Sequence, residues 1–306
     1  MTKIVITAGQ NFIDIDILAC AIAYNELLKK EGKDSVAILP GELNKSVTDT
    51  IKKWEPPYLK KCSYTDPNFV VVDISQPEHL ANFVKVEKIS ELFDHHFGFE
   101  KVWHQLTKGR IVIEAVGACA TLIWEQFKKR NQSEKISTLS ANLLCYAIVS
   151  NTLNFKAFVT DERDRAAFKE ILQYAKLPTN WIESYFKEQE KLVFLNPEKE
   201  IINDTQVEKF PKSEEKLIIG QIELWDSRKF IDEHKIDIRK ALESFGAQNW
   251  FLTSPSISEG KNYIYTESKK VQNLLTKYLD LEFNDNLATT RKLYLRKEIK
   301  KILYNY

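Results

Sequence analysis

Residues 68–75 read NFVVVDIS and residues 87–96 read EKISELFDHH. The first is an uncharged, β-branched run that ends in Asp73, and the second offers a short strand that ends near Asp94. A strand carrying no charge on either face is buried on both, the situation of a parallel sheet covered by helices. The neighbouring text agrees. KIVITAG (3–9) reads as a short buried strand, ILACAIAYNELLKKEG (17–32) as an amphipathic helix stopped at Gly32, and SVAILP (35–40) as a second strand. RIVIEAVGACATLIWEQFKKR (110–130) runs strand, glycine turn, helix. This alternation predicts an α/β domain, a parallel sheet with helices on both faces. Ligands of such sheets bind at the carboxyl ends of the strands. Asp14, Asp73 and Asp94 each follow a candidate strand, so these acids are expected on one edge.

From Thr138 the text turns helical: STLSANLLCYAIVSNTL, then TDERDRAAFKEILQYAKL, with a helix start expected at Thr160 with Arg163 and Asp164. WIESYFKEQEKLVFLNPEKEIIND follows, and Pro197 with its charged surroundings is the expected linker. The predicted division is residues 1–192 and 193–306, the second part a smaller mixed α+β domain with KLIIGQIEL, NWFLTSPS and NYIYTES as strands. A length of 306 residues is itself about twice the usual ~150 per domain.

Composition excludes several classes of function. Forty-four basic and 43 acidic residues leave a net charge of +1, too little for a global field that draws the chain to nucleic acid or anionic lipid. Affinity for phosphate must be local, and no specific nucleic-acid partner is expected. Neither a signal peptide nor a membrane span is expected, which points to a cytoplasmic protein. Cys20, Cys62, Cys119 and Cys145 lack metal-ligand spacing and are expected to be reduced. Trp124, Trp181, Trp225 and Trp250 read as packing anchors, and His79, His104 and His234 as isolated residues in polar text.

Three clusters of acid and imidazole carry the chemistry: Asp14 and Asp16 before a helix, Asp73 at a strand end, and Asp94, His95 and His96 before Gly98. Hard divalent cations take carboxylate oxygen, and imidazole beside carboxylate suits manganese, zinc or iron. A sheet that gathers strand ends brings the three together.

In these segments the sequence resembles the DHH phosphoesterase superfamily. GQNFIDIDILACAIAY, VVVDIS, FDHHFG and AIVSNTLNFKAFVTDERDRAA are similar to its four motifs. EAVGACATLIWEQF is similar to the glycine-threonine segment of the manganese-dependent (family II) inorganic pyrophosphatases, and KLIIGQIEL and TTRKLYLRK to the pyrophosphatase and exopolyphosphatase type of second domain. The resemblance covers essentially the whole chain. It implies a metal-dependent hydrolase of phosphoester or phosphoanhydride bonds, using one or two Mn2+ or Mg2+ ions in a cleft between domains on a small phosphate substrate, and a homodimer. It further implies that Asp14 binds one metal, Asp16 and His95 the second, and that Asp73 bridges them. His96 then contacts phosphate, Asp94 orients an imidazole, and Arg291 and Lys292 hold the phosphate away from the metals.

Three positions depart from the pattern. Gln10 stands for the first-motif histidine, Asn151 for the fourth-motif aspartate, and Gln206 for a substrate lysine of the second domain. Gln10 and Asn151 keep a side-chain oxygen and so remain expected metal ligands, with weaker binding of at least one ion or a shift towards magnesium. Gln206 remains an expected substrate contact. The competing expectation is a non-catalytic phosphate- or nucleotide-binding protein built on the same scaffold. The run from Arg291 to Lys301, six basic residues and one acid, reads equally as a solvated amphipathic helix.

Overall fold

The uncharged runs pair with one another. In chain order the first part comprises β1 (Ile4–Thr7), β2 (Phe12–Ile13), α1 (Ile15–Lys30), β3 (Ser35–Ala37), β4 (Glu42–Leu43), α2 (Asp49–Lys52), β5 (Asn68–Val72), β6 (Ile89–Asp94), α3 (Glu100–Leu106), β7 (Arg110–Ile113), α4 (Cys119–Lys129), α5 (Thr138–Asn151) and α6 (Glu162–Ile171). Five of the strands form a sheet in the order β3, β1, β5, β6, β7, every pair parallel. The order reverses direction at β1 and β5, and Asp73 follows β5 there, where doubly wound sheets bind their ligands. The computed structural model describes residues 2–304, save the side chain of His104.

Alternation along the strands divides the core. Val5, Phe69, Val71 and Leu92 pack on one face with Trp103 of α3, whose indole donates to the Ser75 carbonyl at 2.6 Å. On the other face α1 and α4 lie against the strands, with α5 packed on both helices and α6 on α4 and α5. α1 is buried along almost its whole length and ends ahead of Gly32, whose φ of +75° is cheap only without a Cβ.

The second part comprises α7 (Trp181–Leu195), α8 (Pro197–Asn203), β8 (Thr205–Lys209), β9 (Lys216–Gln221), α9 (Ser227–Glu233), α10 (Lys235–Glu243), β10 (Trp250–Ser256), β11 (Lys261–Tyr265), α11 (Lys269–Leu279), β12 (Leu287–Thr289) and α12 (Arg296–Tyr304). Its mixed sheet has the order β12, β11, β10, β9, β8. Ile218, Trp250 and Leu252 pack on one face with α8, α9 and α10. Leu217, Ile219, Phe251 and Ile264 pack on the other with α11 and α12. Contacts divide the chain into one unit up to Phe155 with Val159–Ile182, and another of Lys156–Phe158 with Glu183 onward. Residue 192 falls inside α7. Pro197, expected as a linker, opens α8 instead, because its fixed φ and missing N–H suit a first helical position. The strand β8 has no buried residue and β12 has three residues with one buried, so neither carries a buried alternation that the sequence could reveal.

The α6 start lies one residue later than Thr160. Asp161 is the N-cap, and Asp164 completes a capping box by accepting from the Asp161 amide at 2.8 Å. Asp164 is wholly buried and also accepts from the Gly117 amide at 2.7 Å and the Thr121 hydroxyl at 2.5 Å. A Cβ on Gly117 would meet the same carboxylate at 2.7 Å. Asp164→Ala leaves these buried donors unpaired and is expected to lower unfolding free energy by about 3 kcal/mol. A shifted midpoint in urea denaturation at unchanged slope checks it.

Candidate metal centre

α1 begins at the site. Asp14 caps it, accepting from the Ile17 amide at 2.8 Å. It follows the two-residue β2, not a strand of the main sheet. Asp16, two residues on, has no solvent exposure. It accepts from the amides of Cys119 at 2.8 Å and Ala120 at 2.9 Å. It therefore caps α4, whose own N-cap residue Ala118 has no side-chain acceptor. The Cys20 thiol at 3.3 Å and the Asn151 amide nitrogen at 3.0 Å complete its partners.

Asp73 stands one residue past β5 at φ +55°, a left-handed conformation that aspartate enters more readily than most residues. It is buried, and its Oδ1 has no hydrogen-bond partner. That oxygen lies 3.4 Å from His95 Nε2. The same nitrogen is 4.0 Å from Asp16 Oδ2. His95 Nδ1 lies 3.1 Å from the Val116 carbonyl, an acceptor only, so Nδ1 donates there and Nε2 is the nitrogen turned to the acids, a ligand atom whenever the ring is neutral. Asp94, the buried last residue of β6, accepts at Oδ1 from the His95 amide at 2.7 Å, the His96 amide at 3.2 Å and His96 Nδ1 at 2.8 Å. The His96 side chain is 62% exposed. Asp73, His95 and His96 bring ligand atoms within 4.8 Å of one another.

Charge repulsion marks the cluster. Burial, and then the charges of Asp16, Asp14 and Asp94, push the Asp73 carboxyl well above its ordinary range. Burial raises Asp16, and burial followed by the Asp16 charge pushes Asp14 up to about 6. A bound cation relieves such crowding. The unpartnered Asp73 Oδ1 and the His95 lone pair beside it are the oxygen and nitrogen donors that a divalent ion of the manganese type takes, so the residues fit one.

The Gln10 amide oxygen accepts from the Asn82 backbone at 3.1 Å. Asn151, the last residue of α5, directs its nitrogen to Asp16 and to the Ala147 carbonyl at 3.3 Å. Two acceptors fix that amide orientation. In neither residue does the structure give the side-chain oxygen to the acid cluster. In the second unit, Gln206 accepts from Lys300 at 3.2 Å. Arg291 is 90% exposed and pairs with Asp280 at 3.0 Å, and the Lys292 ammonium lies over the Phe158 and Tyr294 rings. Ile299 and Leu303 bury the apolar side of α12. Trp124 and Trp250 are core, His234 bonds Asp237 at 2.9 Å, and the His104 side chain lies outside the described residues. The four cysteines are free.

Sequence reading missed the parts made by backbone: the Val116 carbonyl and the Cys119 and Ala120 amides. The glycine turn ahead of α4, with no capping side chain before Cys119, is the signal that a distant acid must serve. Asp94→Asn is expected to lower manganese affinity 10–100-fold, the usual cost of loosening a group that orients a ligand loop. Titration calorimetry of the two chains checks it.

No protein-family model matches the chain. A probable manganese-dependent inorganic pyrophosphatase of Clostridium acetobutylicum is 27% identical to it, over 97% of this chain and 96% of that protein. One of Bacillus cereus is 24% identical over the same shares. Among solved structures, a Methanococcus jannaschii protein assigned to the family II inorganic pyrophosphatases superposes with a TM-score of 0.64 at 22% identity, covering 99% of this chain and all of that one. An exopolyphosphatase-related protein of Bacteroides fragilis superposes with a TM-score of 0.55 at 13% identity, covering 98% and 90%. These two establish a shared fold. Among the described residues no helix is long and apolar enough to cross a membrane.

Proposed function

We propose that the chain is a metal-dependent hydrolase of phosphoanhydride bonds in a small phosphate compound, of the pyrophosphatase or exopolyphosphatase kind. The observation that carries the reading is the buried Asp73 oxygen without a partner, 3.4 Å from an imidazole nitrogen whose ring is oriented by the Val116 carbonyl. The full-length likeness to proteins named as manganese-dependent inorganic pyrophosphatases supports it and suggests manganese, with magnesium the alternative.

Asp73 and His95 would hold the ion. The chemistry it supplies when bound is neutralisation of charge on phosphoryl oxygens and acidification of water. The rest is done by the chain. The Val116 carbonyl keeps His95 in one tautomer. Asp94 holds His96 by Nδ1, which leaves Nε2 of this exposed ring for a phosphate oxygen. Protonated, that imidazole donates a charge-assisted hydrogen bond. Arg291, an exposed guanidinium paired with Asp280, is proposed with Lys292 to hold the phosphate away from the ion, a task suited to a planar fork. Gln206, a neutral amide engaged by Lys300, is proposed as a weaker contact. We extend the proposal to a cytoplasmic setting, in keeping with four free thiols, and to a homodimer, as the resemblance implies.

Phosphate release from pyrophosphate and short polyphosphate, with manganese or magnesium, tests the reading. Asp73→Asn preserves the backbone conformation and is expected to reduce kcat/KM by about two orders of magnitude or more. Arg291→Ala is expected to raise KM about tenfold, the value of one charge-assisted hydrogen bond. The orientation of Asn151 favours a second reading, non-catalytic binding of a phosphate compound or nucleotide. Binding without turnover under every metal selects it.

A further inference from the structure

Asp16 and Asp73 are both buried carboxylates beside His95 Nε2, yet their surroundings differ in one countable respect. A carboxylate has about four lone-pair positions. At Asp16 all four are taken: Oδ1 accepts from the Cys20 thiol and the Ala120 amide, Oδ2 from the Cys119 amide and Asn151 Nδ2. At Asp73, Oδ1 accepts from nothing.

From this we infer that the centre holds a single divalent cation per chain, on Asp73 and His95, and that Asp16 is a structural helix cap whose remaining oxygen position is closed to metal by the Asn151 amide. The inference rests on the metal-dependent reading above and adds its stoichiometry. Three of the four donors to Asp16 are a thiol and two backbone amides that no neighbouring side chain replaces. Asn151 is the fourth, and it is held by more than Asp16 alone. Its second hydrogen goes to the Ala147 carbonyl, so turning the amide over would set its oxygen against two acceptors. The Gln10 oxygen has one of its two lone pairs engaged by the Asn82 amide and, being neutral, offsets none of a second ion's charge. Water and substrate oxygens complete the coordination of the one ion, as is usual for a site with few carboxylates.

The same geometry states what opens a second site. An aspartate at 151 removes the N–H from Asp16 Oδ2 and places a second carboxylate about 3 Å from it, a pair that does not stay doubly ionised without a cation.

The experiment is manganese binding to the full-length chain, read by equilibrium dialysis and by electron paramagnetic resonance of the loaded protein. The expected results are one Mn2+ per wild-type chain with an uncoupled six-line spectrum, affinity reduced about a hundredfold in Asp73→Asn, and two ions with an exchange-coupled spectrum in Asn151→Asp. Two tightly bound ions in the wild type overturn the inference and leave the hydrolase reading standing. An Asn151→Asp chain that folds, by circular dichroism, and still binds one ion also overturns it, because Asn151 is then not what closes Asp16. Should that variant not fold, the wild-type stoichiometry decides alone. A wild-type chain that binds no manganese or magnesium removes the metal-dependent reading itself.

Discussion

The first unit is arranged around the carboxylate of Asp16, wholly buried at the amino end of α4. An ionised group out of water is tolerable only when its oxygens are met by donors. Here the donors come from α1, α4 and α5. The helix end has the converse need. Its first amides lack partners within the helix, and Ala118 has nothing to offer them. Asp16 answers the amides of Cys119 and Ala120, while Asp164 answers that of Gly117 from the side of α6. Two acids more than a hundred residues apart in the chain thus fix where α4 starts, and with it the Val116 carbonyl that orients His95.

That arrangement separates two chemically identical side chains by environment. Asp16 has a full set of donors and the positive end of a helix dipole; Asp73 has neither and faces three other acids. The oxygens of the first are met by donors on every side. The second has an oxygen that no donor meets, and a cation there would relieve the repulsion of its neighbours, which is the property of a ligand.

The sheet, its covering helices and the gathering of Asp14, Asp73, Asp94 and His95 were legible because uncharged runs such as NFVVVDIS have few other ways to be buried, and strand ends follow from strands. The identities of Gln10 and Asn151 were equally plain, but what their amides do was not. A side-chain oxygen kept in the sequence says nothing of which end of the amide points inward, and the Ala147 carbonyl and the Asn82 amide decide that. The same limit hid the start of α6 at Asp161, where Thr160 and Asp161 are both good caps and only the reach of Asp164 chooses. Backbone partners, supplied by every residue type alike, leave no mark in composition.

The left-handed backbone at Asp73 has an evolutionary corollary. Among residues other than glycine, aspartate and asparagine enter that region at modest cost, whereas β-branched and bulky side chains do not. The genetic paths open to position 73 without disturbing the strand end are therefore narrow: retain the charge, exchange it for the isosteric amide, or lose the side chain altogether. A lineage abandoning catalysis could take the second path in one nucleotide change and lose little of the fold. Asn151, at a helix end that accepts many residues, carries the amide, and position 73 carries the charged member of the pair where backbone geometry admits only two or three residues.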